Sequence, residues 1–183
     1  MHSGFTVFLT GLSGAGKSTI GDILIARLQD AGRPVTTLDG DVVREMLSSE
    51  LTFSRADRDL NIRRIGWVAG EIVRHGGAVV VAAIAPYDAA REQARTLVDR
   101  HGTFVLVHVA TPLAVTEARD VKGLYARARS GEIAQFTGVT DAYEVPSAPD
   151  LVLDGSTGSP ADSAQQIIDH LTERGLLGQQ QPG

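Results

Sequence analysis

The chain runs to 183 residues, 43% of them hydrophobic and 20 of them glycine, with a formal net charge of −5 and no cysteine. That length and apolar content predict a single α/β domain over residues 1–183 and exclude a disordered chain. The acidic balance excludes a general nucleic-acid binder, and the lack of cysteine excludes disulfides and thiolate metal sites.

Met1 to Gly4 carries no basic segment ahead of a cleavable apolar stretch, and residues 5–12 are too few to span a bilayer. The expectation is a soluble, cytoplasmic protein with no membrane and no nucleic acid as partner. Phe5–Thr10 is an apolar run that predicts the first strand, and a helical run follows from Thr19 to Gln29. Between them, residues 11–18 read GLSGAGKS, a full match to GxxxxGK followed by Ser or Thr. Gly11, Gly14 and Gly16 allow backbone angles and close approach denied to other residues, so successive N–H groups can point into a polyphosphate at a helix N-terminus. Leu12, Ser13, Ala15 and Thr19 complete that cradle, Lys17 reaches the β- and γ-phosphates, and Ser18 reaches magnesium. The motif predicts ATP or GTP binding; a glycine-rich turn that binds nothing is the plain alternative. No NKxD sequence for reading guanine is present.

Val35–Asp39 predicts the second strand, and Asp39-Gly40-Asp41 places two carboxylates at the sheet's carboxyl edge. Asp39 is the candidate for holding magnesium through water, and Asp41 for orienting or deprotonating an attacking hydroxyl. Asp41 as N-cap of a helix over Val42 to Leu47 is the structural alternative, and the two roles are compatible. After Leu51, Ser54 can cap a helix with Asp57 at its third position, and Ile62, Ile65, Ala69 and Ile72 form an apolar stripe ended by Gly76-Gly77. Arg58 lies on that stripe, so it needs a planar or anionic partner, either a nucleotide or an internal ion pair. Arg44 and Asn61 join it as candidates. Phe53 and Phe136 stand in polar surroundings and predict either purine stacking beside Arg groups or anchors that pin loops to the core.

Further apolar runs at Ala78–Ile84, Phe104–Val109 and Leu151–Leu153 predict three more strands, with helices over Asp88–Arg100 and Ala161–Arg174. Apolar strands joined by helices predict a parallel five-stranded sheet with helices on both faces, a three-layer phosphate-loop NTPase fold whose ligand crevice lies at the strands' carboxyl ends. Residues 111–149 carry no strand signal and predict a helical lid, with a charged solvated excursion as the alternative. Residues 178–183 predict a fraying tail. The histidines show no metal-ligand spacing, and the DxxG match at Asp120–Gly123 reads as coincidence.

Taken together, GLSGAGKST, LDGDVVR, FSRADRDLNIRR, IAPY and RDVKGLYARARSGEIAQFTGVTDAYEVP resemble the motif series of the adenylylsulfate kinases, in order and over almost the whole chain. The resemblance implies ATP-dependent phosphorylation of the 3′-hydroxyl of adenosine 5′-phosphosulfate in sulfate assimilation, with ATP and Mg2+ as co-substrate and cofactor. It implies an adenylylsulfate site of Asp41, Arg44, Phe53, Arg58, Asn61, Ile84, Ala85, Lys122, Phe136 and Thr137, with Arg119 on the ATP side and Lys17, Asp41 and Asp39 carrying the chemistry. Ala85 stands where relatives carry serine, and without a hydroxyl it excludes a phosphoenzyme at that position. The resemblance further implies a homodimer and admits a sulfurylase partner. The alternatives are a kinase for another small nucleoside or alcohol acceptor, and a catalytically silent nucleotide-binding module that regulates a sulfurylase.

Overall fold

The computed structural model describes residues 3–177; the predicted tail lies outside the described residues. In chain order the elements are β1 (Phe5–Thr10), α1 (Lys17–Asp30), β2 (Val35–Asp39), α2 (Gly40–Met46), α3 (Arg55–Arg74), β3 (Ala78–Ala82), α4 (Asp88–Val98), β4 (Thr103–Val109), α5 (Leu113–Arg119), α6 (Leu124–Arg129), β5 (Leu151–Leu153) and α7 (Pro160–Glu173). The five strands are parallel, in the order β2-β3-β1-β4-β5.

Why the central strands read as unbroken apolar runs follows from the period of two. Phe5, Val7 and Leu9 of β1 face one core, under α1 and α7, while Phe8 faces the other, under α3 and α4. β3 and β4 divide the same way: Val80, Val105 and Val107 fall on the first side, and Val79, Val81, Phe104 and Leu106 on the second. The edge strands differ because one side meets solvent, so Thr36 and Thr37 of β2 and Val152 of β5 are exposed.

Several element ends shift from the expected positions. β3 stops at Ala82, two residues early, because 83–86 leaves the ladder to wall a cavity. α2 begins at Gly40, and its N-cap is Asp39, whose Oδ1 accepts from Asp41 N at 2.9 Å; Asp41 is therefore not the cap. α4 ends at Val98, with Asp99 as C-cap and its Oδ1 accepting from Phe104 N. Ser54 caps α3 as expected, accepting from Asp57 N at 3.2 Å. The Asp57 carboxylate turns to Thr52 N instead of closing a reciprocal box on Ser54. In the stripe, Val73 and not Ile72 is the fully buried fourth member.

α3 and α4 meet at backbone distance. A Cβ on Gly66 would lie 2.7 Å from Ala94 Cα and 2.8 Å from Ala94 Cβ, closer than atoms pack. Gly66→Ala is expected to lower stability by about 1–3 kcal/mol through overpacking, seen as a lower urea midpoint at unchanged m-value. A midpoint equal to wild type would show that the two helices can move apart at no cost.

Candidate active site

Parallel strands end on one rim, which brings the 11–18 loop, the 39–41 step into α2 and the 83–86 turn side by side, with α5, α6 and the segment to Pro149 arching over them. The cavity so enclosed has a volume of about 580 Å³, lined on the loop side by Ser13, Gly14 and Gly16 to Thr19 and elsewhere by Phe53, Arg58, Asn61, Phe136 and Thr137.

At the loop end, Gly16 takes a left-handed φ of 103° and caps α1 without any side-chain hydrogen bond, so the first N–H groups of the helix remain for a ligand. Lys17 is only 8% exposed and folds back to donate to Gly11 O at 3.0 Å and Leu12 O at 2.7 Å. Burial is the main reason its pKa falls from 10.5 to about 8; the charges of Asp41 and Asp39 oppose the fall, and Lys122 adds to it. Ser18 Oγ donates to Asp39 Oδ2 at 3.2 Å, which sets two hard oxygen donors beside the loop. Gly11, Leu12 and Ala15 do not line the cavity: Gly11 abuts Val109 O, Leu12 reaches Gly138, and Ala15 is packed in the core. They shape the loop from behind. Arg119 also lies off the cavity and donates to Gly155 O at 3.0 Å.

Asp41, in the first turn of α2, meets Lys122 of the lid in an exposed ion pair at 2.5 Å. That hydrogen bond is the main cause of the raised Lys122 pKa.

Farther along, Arg44 donates to Thr52 O at 2.9 Å and stacks over Phe53 at 4.6 Å from the ring centroid, while the ring stays 54% exposed. Arg58 is buried, with every nitrogen committed to protein: Nε to Phe53 O, Nη1 to Thr137 Oγ1, and Nη2 to Gln135 O and Asp141 Oδ2 at 2.9 Å. Of the two partners predicted for it, the structure shows the ion pair, and that pair ties the start of α3 to the lid. Asn61 is buried with Oδ1 unpartnered, an acceptor open to a donor from a ligand. Ile84 and Ala85 form the wall opposite, with Ala85 at a φ of 45°. Phe136 is 8% exposed and packs edge-on against Tyr125 at 5.0 Å, so it is anchored while still lining the cavity.

Arg127 lines the cavity too, as do Tyr125, Ile133 and Gln135, which were not singled out from the sequence. Tyr125 matters most: its hydroxyl donates to Ser13 O at 2.9 Å, joining the lid to the glycine loop. The only sequence signal for it is that it opens a short apolar face with Ala128, which with Phe136 makes a third, separate core.

A family model described as adenylylsulphate kinase matches residues 3–154. A sulfate adenylyltransferase of Gibberella zeae is 53% identical over 96% of the chain, which spans 31% of that protein's length. An adenylyl-sulfate kinase of Synechococcus sp. is 49% identical over 95% of the chain and 97% of its own length. Among solved structures, the Mycobacterium tuberculosis APS kinase in complex with AMPPNP and APS superposes with a TM-score of 0.90 at 42% identity, covering 94% of this chain and 99% of that one.

A polyphosphate seated on the loop gives Lys17 the counter-charge that burial denies it, so its pKa rises on binding. Below about pH 8 the lysine is already charged; above it, binding must take up a proton, and triphosphate affinity falls with rising pH. Calorimetry near pH 8.5 in buffers of different ionisation heat should show net proton uptake in wild type and none in Lys17→Ala. Equal heats in wild type would remove Lys17 as the titrating contact.

Proposed function

The chain belongs to the adenylylsulphate kinase family, and from that premise we propose that it transfers the γ-phosphoryl group of ATP to the 3′-hydroxyl of adenosine 5′-phosphosulfate, releasing ADP and 3′-phosphoadenosine 5′-phosphosulfate. The observation that carries this is the single cavity that runs from a complete phosphate loop to an aromatic and cationic end, with Asp41 on its wall.

In this reading ATP lies with its phosphate tail on the N–H groups of 13–18 and α1, held by Lys17, with Arg119 toward the ATP side. The residues fit magnesium: Ser18 Oγ and Asp39 Oδ2 are adjacent hard oxygens, and Asp39 Oδ1 is occupied in capping α2, which fixes the carboxylate's direction. When bound, the ion would neutralise charge on the transferring phosphate. Adenylylsulfate occupies the other end, its adenine between Phe53 and Phe136, with Arg44 beside it and Asn61 Oδ1 accepting from it. Arg58 acts there through its grip on Phe53 and Thr137. Ile84 and Ala85 close the wall.

Asp41 orients the 3′-hydroxyl and takes its proton as the oxygen attacks the γ-phosphorus in line; the new O–P bond forms as the bond to the β-phosphate oxygen breaks, and ADP leaves. Asp41 is free for this only when Lys122 lets go of it, and an arriving phosphate offers Lys122 a better partner. With no hydroxyl at Ala85, transfer runs directly between the two bound substrates. The lid keeps water from competing as nucleophile. The protein acts in the cytoplasm as a homodimer, and a sulfurylase that makes adenylylsulfate is its natural associate. None of the described helices is long and apolar enough to cross a membrane. A silent regulatory module would not need an intact GLSGAGKS with Ser18 and Asp39 aligned. Another alcohol acceptor would leave the paired Phe53 and Phe136 without a purine.

Purified protein incubated with magnesium, ATP and adenylylsulfate should yield the 3′-phosphorylated product by mass spectrometry; ATP binding without product would overturn the reading. Asp41→Asn is expected to lower kcat by about 10²–10⁴-fold with a small change in the adenylylsulfate KM. The reverse pattern would make Asp41 a binding residue alone.

A further inference from the structure

Arg91 of α4 is fully buried, the largest such side chain among the described residues, and no candidate role in the site has been assigned to it. It stands behind the cavity wall and not in it. Nη1 donates to Ala85 O at 2.6 Å; Nη2 donates to Asp88 Oδ1 at 2.8 Å and to Glu144 O at 2.7 Å; its guanidinium carbon lies 5.7 Å from the Tyr143 ring centroid. One planar group thus joins three parts of the chain: the turn after β3, the start of α4 and the return of the lid.

Both ends of that link have their own reasons to need it. Ala85 takes a φ of 45°, a left-handed conformation that L-residues other than glycine adopt at a cost, and among the described residues only Asp120 does the same without being glycine. A carbonyl held by a charged donor keeps the turn in that form. The lid's return is fastened beside it: Glu144 N donates to Pro86 O at 2.8 Å, Asp88 N to Glu144 Oε2 at 2.8 Å, and Ser147 Oγ to Asp88 Oδ2 at 2.5 Å. Tyr143 meets Thr10 Oγ1 at 2.9 Å, and Thr10 in turn donates to Ile84 O at 2.6 Å. Arg91 bridges the 84–86 wall and the lid's C-terminal root, with the Glu144 N to Pro86 O bond and Thr10 as separate links beside it.

We propose that Arg91 is a positioning residue for the phosphoryl acceptor. Its guanidinium holds the 84–86 wall in its left-handed form and fastens it to the lid at Tyr143–Ser147, so that acceptor binding depends on it and donor binding does not. Residues 11–18 make none of these hydrogen bonds, although Thr10 just before them meets Ile84 and Tyr143. The proposal rests on adenylylsulfate being the acceptor.

Arg91→Lys keeps the charge but replaces a planar fork with one ammonium, which cannot serve Ala85 O and Glu144 O from separate nitrogens. Expected are a rise of about tenfold in the adenylylsulfate KM with the ATP KM and kcat within about twofold. Amide exchange should quicken together in 84–87 and 143–147 and stay unchanged in 11–18. Adding Ala85→Gly should recover part of the lost acceptor affinity, because glycine reaches the left-handed form freely. Should Arg91→Lys not fold, Asp88→Asn keeps Arg91 while withdrawing its carboxylate, and the same split between the two KM values is expected.

Equal rises in both KM values, exchange unchanged in the two segments, or exchange quickened throughout the core strands would overturn the proposal. Should wild type fail to phosphorylate adenylylsulfate, the acceptor assignment falls, and the exchange pattern alone decides whether Arg91 couples wall and lid.

Discussion

Lys17 sits nearly dry beneath a glycine loop, its ammonium satisfied only by the carbonyls of Gly11 and Leu12; among the described residues no carboxylate forms an ion pair with it. Taking a charge out of water without pairing it is costly, and this cost is what makes the loop receptive to an anion. The strands beneath supply the rigidity such a site requires. β1 is flanked on both sides by parallel partners and covered on both faces, so the loop that leaves its end starts from a fixed position. The carboxylates of Asp39 and Asp41 are near enough to be felt by Lys17 yet are engaged elsewhere, with α2 and with Lys122.

The lid is joined to this rim by polar ties of differing strength. Arg58 and Tyr125 are buried ties: one binds the start of α3 to Thr137, Gln135 and Asp141, the other binds α6 to Ser13. Removing one partner from such a tie strands a buried polar group, which costs more than the bond itself is worth. The Lys122–Asp41 pair is exposed on both sides, and exposed pairs contribute little. The lid therefore keeps a firm base at Tyr125 and Phe136 and a loose tip at Lys122.

Much of this was legible in the sequence because the chemistry is local. The GLSGAGKS loop, the Ser54 cap and all five strands follow from short-range pattern, and most of the site residues proposed from the motifs do line one cavity. What local pattern misjudged were choices settled between neighbours. Asp39 and Asp41 are both able caps, and Asp39 prevails because β2 runs straight into α2 without a loop. Arg58 faces inward as its place on the stripe requires, but its partner Asp141 lies 83 residues away. Tyr125 and Arg91 escaped notice for the same reason, since a buried tyrosine or arginine gains meaning only from partners that folding brings to it.

The third apolar cluster, Tyr125 with Ala128 and Phe136, is separate from the two that flank the sheet. Of the side chains that would meet the acceptor, Lys122, Phe136 and Thr137 therefore come from an arch whose packing the sheet does not share, whereas the phosphate loop is embedded in the sheet. Such a division lets a lineage trade one acceptor for another by altering the arch and the start of α3 while the donor machinery and its scaffold stay intact.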